Sequence, residues 1–308
     1  SPMSALWQRR PVGIVGLGLI GGSLGLDLLA RGAEVRALVH RQATAERALE
    51  RGLVTRVSTD PELLHDCGLV LLALPLDRLL DPDPSLLAAL SPEAVITDVG
   101  SVKGPVLAAW EAHLGPEGSR RFVGSHPMAG TARSGVEAGE RDLFRGRPWV
   151  VTPSAATSAE AIEAVRQLAE ALGSLWIPCE AADHDRAVAL ISHLPVLVSA
   201  ALLLGADRGA AAVAGAAIPS APGSADPGVL PDLVRTLASS GFADTSRVGG
   251  GNPELGTWMA RWNREALLAA LAHYRGALEG LERCVIERNW SELQGQLASS
   301  QQLRPAFL

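Results

Sequence analysis

The sequence predicts an α/β chain in which a mostly parallel sheet, covered by helices on both faces, is followed by an all-helical domain. Three observations predict it. Short apolar runs alternate with stretches of helical length from Val12 to about Pro178, the pattern of parallel strands joined by helical crossovers. A glycine turn, Gly16-x-Gly18-x-x-Gly21, joins the first apolar run to the first helical stretch. After Cys179 strand-like runs disappear. The boundary therefore falls between 178 and 179, giving domains 3–178 and 179–308, with Ser1 and Pro2 set aside as a cloning remnant ahead of Met3.

In chain order, the strand candidates are Val12–Val15, Glu34–Val39, Leu69–Leu74, Ala94–Asp98, Phe122–Ser125, Trp149–Thr152 and Leu175–Ile177. Helices are expected at Ser23–Arg31, Thr44–Arg51, Pro61–Cys67, Pro84–Leu90, Lys103–Leu114 and Ser158–Leu172. Strand, glycine turn and helix in that order make a Rossmann-type phosphate cradle. The first glycine permits the turn, the second admits a pyrophosphate, and the third lets helix pack against strand. Free N–H groups and the positive dipole end of the helix then face the anion. Gly16, Gly18, Leu19, Ile20 and Gly21 are assigned to the cofactor on this basis, with Leu74 and Pro75 at the tip of a neighbouring strand.

The second strand selects the cofactor. An NAD site places Asp or Glu about 20 residues past the glycines, to hold the ribose 2′-hydroxyl. Here no acid stands between Arg36 and Ala45, and the strand tip reads His40-Arg41-Gln42 with Thr44 beyond. A guanidinium and a hydroxyl suit a 2′-phosphate, so NADP is expected. Arg41 as an ordinary surface charge is the plainer alternative.

In the second half, Asp183–Ala206 is a long helix interrupted by Pro195, and Pro231–Ser239 is a short one. Asn252-Pro253-Glu254 supplies a cap, a first-position proline and a first-turn acid for a helical run to about Glu287. Ser291–Ser300 adds one more helix, and Gly215–Gly228 reads as a loop. These helices are too few to bury their own apolar faces, so a homodimer through this domain is expected.

Composition excludes several classes. The net charge of −6 argues against a nucleic-acid surface, and hydrophobic content of 47% is ample for large cores. Cys67, Cys179 and Cys284 form no C-x-x-C pair, which argues against disulfides and zinc; no metal is expected. No leader and no apolar run of 18 residues is read, so neither export nor membrane spanning is expected, and a cytoplasmic location is.

His126 stands past a strand inside Gly124-Ser-His-Pro-Met-Ala-Gly-Thr131. It reads as a neutral base near its usual pKa of about 6.5, or as a turn histidine bonded to its own loop. Ser101, in Asp98-Val-Gly-Ser-Val-Lys103, is a candidate partner of His126 or a helix N-cap. Lys103, the only lysine in the chain, is a solvated first-turn charge or a base. His184 and His193 are nine apart, hence on opposite sides of a regular helix, while Arg186 and His193 share a face. Pro195 frees the carbonyl of Ile191 and bends that helix. His193 there lines a substrate wall or is a satisfied core histidine. Arg247, before Val248-Gly-Gly-Gly251, clamps a carboxylate or pairs with Asp244.

Together, GLGLIGGS, TDVGSVK, GSHPMAGTARSGVEAG, LFRGRPWVVTP, DHDRAVALISHLPV and TSRVGGGNPELGTWM resemble the prephenate/arogenate dehydrogenase family of tyrosine biosynthesis, most nearly its cyanobacterial branch. The resemblance runs from Val12 to about Tyr274. It implies oxidative decarboxylation of arogenate to tyrosine with NADP, the cyanobacterial members typically preferring both. His126 would be the base on the ring hydroxyl and Ser101 its partner. Arg247 would hold the ring carboxylate, with Thr131 and His193 nearby. Ala132 and Val196 stand where many prephenate-using relatives carry an acid and a histidine, which is consistent with an amino-acid substrate. Three alternatives remain open. They are a prephenate dehydrogenase making 4-hydroxyphenylpyruvate, a 6-phosphogluconate-like dehydrogenase with a lysine base, and a non-catalytic NADP sensor.

Overall fold

A computed structural model of the chain describes residues 4–130, 133–216 and 229–308. Strands β1 (Val12–Val15), β2 (Val35–Leu38), β3 (Arg56–Ser58), β4 (Leu69–Leu72), β5 (Val95–Asp98) and β6 (Phe122–Val123) form one sheet in the order β3-β2-β1-β4-β5-β6. Every neighbouring pair in it is parallel, so the carboxyl ends share one edge. The order reverses between β1 and β4, the switch point at which such sheets bind ligands. Strands β7 (Ser125–Pro127), β8 (Pro148–Val151) and β9 (Leu175–Pro178) make a second, smaller sheet. In it β7 runs antiparallel to β8, and β8 parallel to β9. The expected strand Phe122–Ser125 is thus two strands broken at Gly124, and β3, short and polar, was not anticipated from the sequence.

Alternation along the strands divides the core. Leu69 and Leu71 join one hydrophobic cluster, with Val12, Ile14 and Val35. Val70 and Leu72 point the other way, into a cluster with Val106, Trp110 and Phe122. A sheet buried on both faces reads as continuous apolar runs rather than alternating ones, which is why β1 and β4 are legible in the sequence.

The principal helices are α1 (Leu19–Ala30), α2 (Gln42–Glu50), α3 (Gly104–Gly118), α4 (Ala159–Ala171), α5 (Ala181–Val188), α6 (Leu194–Ala216), α7 (Pro253–Trp262), α8 (Arg264–Ile286) and α9 (Trp290–Phe307). The Asn252 side chain caps α7, accepting from the amide of Glu254. The helical run expected to reach Glu287 is interrupted at Asn263, between α7 and α8. Helix α6 continues through Ala216, so the loop expected from Gly215 does not begin there; 217–228 lie outside the described residues.

Helices α5 and α6 are joined by a π-helical turn, Ala189–His193, in which the amide of Leu194 bonds back to Ala189. Pro195 has no N–H to give Ile191, and the wider i→i+5 pattern accommodates it. By length and composition, the continuous helix Ala181–Val213 could cross a membrane, with 28% of its most apolar window buried. The reading of no long apolar run was thus mistaken, because Ser192, His193 and Ser199 obscure it. The helical domain buries a small core around Ala189, Leu194, Leu267 and Ala270. Leu202, Leu204, Leu268, Leu278, Val285 and Ile286 remain exposed.

Candidate active site

The glycine turn meets the geometry its spacing implies. Gly16 has φ +94°, and a Cβ there would lie 2.5 Å from the carbonyl oxygen of Ala73. A Cβ on Gly21 would stand 1.9 Å from the Gly16 oxygen, whereas one on Gly18 would meet nothing within 4 Å. Two glycines are therefore required by packing, and the third leaves open space at the N-terminus of α1, which is N-capped by Gly18 itself. A dinucleotide pyrophosphate fits that opening. Beside it, the amide of Gly16 donates to Leu38 O at the end of β2. His40 and Arg41 follow that strand and are exposed, Arg41 being the N-cap of α2 and Thr44 lying in its first turn. Leu74 packs near Gly16, its Cδ2 3.6 Å from where a Cβ would be, and Pro75 begins the short helix Leu76–Leu80.

The second cluster forms past β5 and β6 on the same edge. Asp98, at the end of β5, is fully buried and pairs with Lys103 Nζ, which also donates to Ser125 O at 2.6 Å. Asp98 accepts from the amides of Gly100 (2.9 Å) and Ser125 (3.1 Å). Lys103 is 0% exposed, so it is not a solvated first-turn charge. Burial pushes its ammonium below the ordinary range, while Asp98 and Asp185 oppose the shift. Its hydrogen bonds tie it beneath the His126 strand.

His126 is held from the helical domain. Its Nδ1 lies 2.8 Å from His184 Nε2, and His184 Nδ1 lies 2.8 Å from Asp185 Oδ1. The Asp185 carboxylate also accepts from the amides of Lys103 (2.8 Å) and Gly104 (2.9 Å), capping α3. The helix cap is thus Asp185 and not Ser101. Ser101 is half-buried, and no hydrogen bond joins it to His126 among the described residues. Burial raises the Asp185 carboxyl, but the bonds from His184, Lys103 and Gly104 outweigh it and hold the group below the usual range. His126 is not near its usual pKa. Burial, then the neighbouring His184, Lys103 and His193, push it well below 6.5.

His184 and His193 are 3% and 2% exposed, and Arg186 is exposed and paired with Asp183. The expectation of opposite faces for the two histidines, and a shared face for Arg186 and His193, therefore fails. The π turn between them carries extra residues per turn and shifts the phase. Asn263 Nδ2 donates to Asp185 O (2.8 Å) and to His193 Nδ1 (3.1 Å). His193 Nε2 is buried without a partner among the described residues, and burial lowers the ring's pKa to about 4.

Arg247 is exposed in a 3₁₀ turn, Arg247–Gly250, and no ion pair joins it to Asp244 among the described residues. Its turn packs on α6, where the amide of Gly249 donates to Ser199 Oγ at 2.8 Å. Ser199 lies six residues past His193, about 9 Å along the helix. Thr131 and Ala132 lie outside the described residues. His184, Asp185 and Asn263 were missed as site residues. Their signals were an Asp-His-Asp run just past the last strand, and an asparagine interrupting the helical period.

Two family models match in tandem: the nucleotide-binding domain of prephenate dehydrogenase over residues 24–177, and its dimerization domain over 180–299. The chain belongs to the prephenate dehydrogenase family. Within it, the chain is 40% identical to a Synechocystis arogenate dehydrogenase structure, covering 97% of this chain and 100% of that one, with a TM-score of 0.75. A prephenate dehydrogenase from A. aeolicus, solved with hydroxyphenyl propionate and NAD+, is 25% identical over 97% of this chain and 98% of its own, with a TM-score of 0.83. A cyclohexadienyl dehydrogenase of Zymomonas mobilis is 29% identical over 97% of this chain and 96% of its own length. Membership makes the protein an oxidoreductase of tyrosine biosynthesis with a nucleotide-binding sheet domain and a helical domain. Among the described residues, no group of three or more His, Cys, Asp or Glu is arranged to hold a metal ion.

Proposed function

We propose that the protein oxidatively decarboxylates arogenate to tyrosine with NADP+, His126 serving as the base. The observation that carries this reading is the His126 imidazole, hydrogen-bonded to His184 just past the carboxyl edge of the parallel sheet that bears the glycine turn. The 40% identity to an arogenate dehydrogenase over nearly the whole chain supports the substrate. The substrate is a cyclohexadienol carrying a carboxylate opposite its hydroxyl. His126 takes the hydroxyl proton, the carboxylate leaves as carbon dioxide, and the ring becomes aromatic. When bound, NADP+ supplies the hydride acceptor. Gly16, Gly18, Leu19, Ile20 and Gly21 would hold its pyrophosphate, Arg41 with His40 and Thr44 its 2′-phosphate, and Leu74 and Pro75 would complete that site. Ser101, Thr131, His193 and Arg247 orient the substrate, Arg247 by pairing with a carboxylate.

Residues 3–178 bind the nucleotide, and 179–308 complete the substrate site and form a homodimer. The exposed apolar side chains of α6, α8 and α9 and the name of the family's second domain support the dimer. Free cysteines suit a cytoplasmic location. A second reading, prephenate as substrate, is favoured by the relatives named for it.

The test is a side-by-side steady-state assay of arogenate and prephenate, each with NADP+ and NAD+, following reduced nicotinamide. The expected order puts arogenate with NADP+ highest in kcat/KM. A higher value with prephenate, or with NAD+, overturns that half of the assignment, and no turnover with any pair overturns all of it. His126→Asn should lower kcat by about 10²–10⁴ with KM little changed. Near-normal kcat removes His126 from the role.

A further inference from the structure

We propose that Asp185 and His184 act as a two-residue tautomer lock on His126, positioning its proton on Nδ1 and leaving Nε2 bare for the substrate. The inference rests on the reading of His126 as the base. It follows from which atoms can donate. Asp185 Oδ1 already accepts from the amide of Lys103, and Oδ2 from that of Gly104. An ionised carboxylate only accepts, so the third bond, 2.8 Å to His184 Nδ1, requires the proton of His184 on Nδ1. A neutral His184 then has only a lone pair on Nε2. The 2.8 Å contact of that atom with His126 Nδ1 requires His126 to donate. The proton of His126 is committed to Nδ1, and Nε2 is the basic nitrogen.

The rings meet edge-on, with centroids 5.1 Å apart and planes 77° apart, so the lock also fixes the tilt of His126. His184 is 3% exposed, which keeps water from competing for the bond. Asn263 holds the backbone of Asp185, so the anchor is restrained from two sides. When His126 takes the hydroxyl proton, that proton rests on Nε2. The Nδ1–H stays bonded to His184, and neither His184 nor Asp185 changes protonation. Both are therefore positioning residues. A buried histidine pair with only a packing role would make no demand on the tautomer of His126.

Two measurements test this. In protein labelled with ¹⁵N-histidine, the seven histidines of the chain give separable ring signals, with His126 assigned by its loss in His126→Asn. The expected spectrum shows His126 protonated at Nδ1 near pH 7. Protonation at Nε2 overturns the proposal, and this readout needs no substrate, so it stands even if the proposed activity fails. In kinetics, His184→Leu should lower kcat by about 10²-fold or more, within the range of general-base effects, with KM within a few-fold. His184→Gln, whose amide oxygen can accept from His126 Nδ1, should recover all but about tenfold of it. Unchanged kcat in His184→Leu, or equal losses in Leu and Gln variants that both melt like wild type, overturns the lock. Should His184→Leu not fold, the Gln variant and the wild-type spectrum still decide.

Discussion

Asn263 gives one amide hydrogen to the carbonyl of Asp185, at 2.8 Å, and the other to His193 Nδ1, at 3.1 Å. A carbonyl only accepts, so the nitrogen of Asn263 must face it, and His193 Nδ1 must accept too. His193 then carries its proton on Nε2, the buried atom without a partner among the described residues. His126 and His193 thereby carry opposite forms of the same chemistry, a lone pair on one Nε2 and an N–H on the other. An unsatisfied buried donor costs about 1–3 kcal/mol, which a substrate oxygen would recover. Asn263→Leu and His193→Phe should each lower kcat/KM by roughly 5- to 150-fold. Unaltered kcat/KM in both would detach the pair from substrate binding.

Acid should weaken the fold through these rings. His193 titrates at about 4 when folded against about 6.5 unfolded. As pH falls the unfolded chain binds the proton first, so the contribution is complete above pH 6.5 and is lost between 6.5 and 4. The loss from His193 is at most ~3 kcal/mol, and His126 acts in the same direction. Urea midpoints at pH 7.5 and 4.5 check it. His193→Gln should lose less stability than wild type across that interval, and equal losses contradict the assignment.

The glycines separate packing from binding. Gly21→Ala drives a methyl into the oxygen of Gly16 and should lower Tm by roughly 10 °C. Gly18→Ala meets no atom, so it should melt within a few degrees of wild type while weakening dinucleotide binding about tenfold or more. Thermal melts with and without NADP+ distinguish the two. Full NADP+ stabilisation of Gly18→Ala would place the pyrophosphate elsewhere.

Arg41 should set cofactor choice. Arg41→Ala is expected to raise KM for NADP+ by about tenfold or more and leave KM for NAD+ within a few-fold. Parallel changes for both cofactors would show that Arg41 does not read the 2′-phosphate.

The nucleotide half was legible because its signals are local. Gly16, Gly18 and Gly21 stand at a fixed spacing within one strand, turn and helix, and β4 is apolar throughout because both faces are covered. The polar cluster past β5 and β6 was legible only where a candidate group sits beside a strand end, as at His126. The hydrogen-bond partner that the structure gives His126 is His184 and not Ser101, and it comes from the helical domain through a contact 58 residues away, which spacing does not reveal. The opposed-face expectation for His184 and His193 failed because 3.6 residues per turn was applied across a segment that is wider. Lys103 was misread for a related reason: helix position says nothing about a burying lid, here Asp185 and the strand of Ser125. The antiparallel β7–β8 pair follows from the break at Gly124, which periodicity does not mark.

The π turn at Ala189–His193 also fixes a count. Its five residues take up about the rotation that four take in an ordinary helix, so one residue of chain is absorbed there. Removing one residue from that turn would restore ordinary winding and leave the helix beyond it facing nearly as before, whereas removing one from the regular stretch that follows would spin everything downstream by about 100°. The direction in which a second copy could approach therefore tolerates a lost residue inside this interval of chain and not in the turns after it.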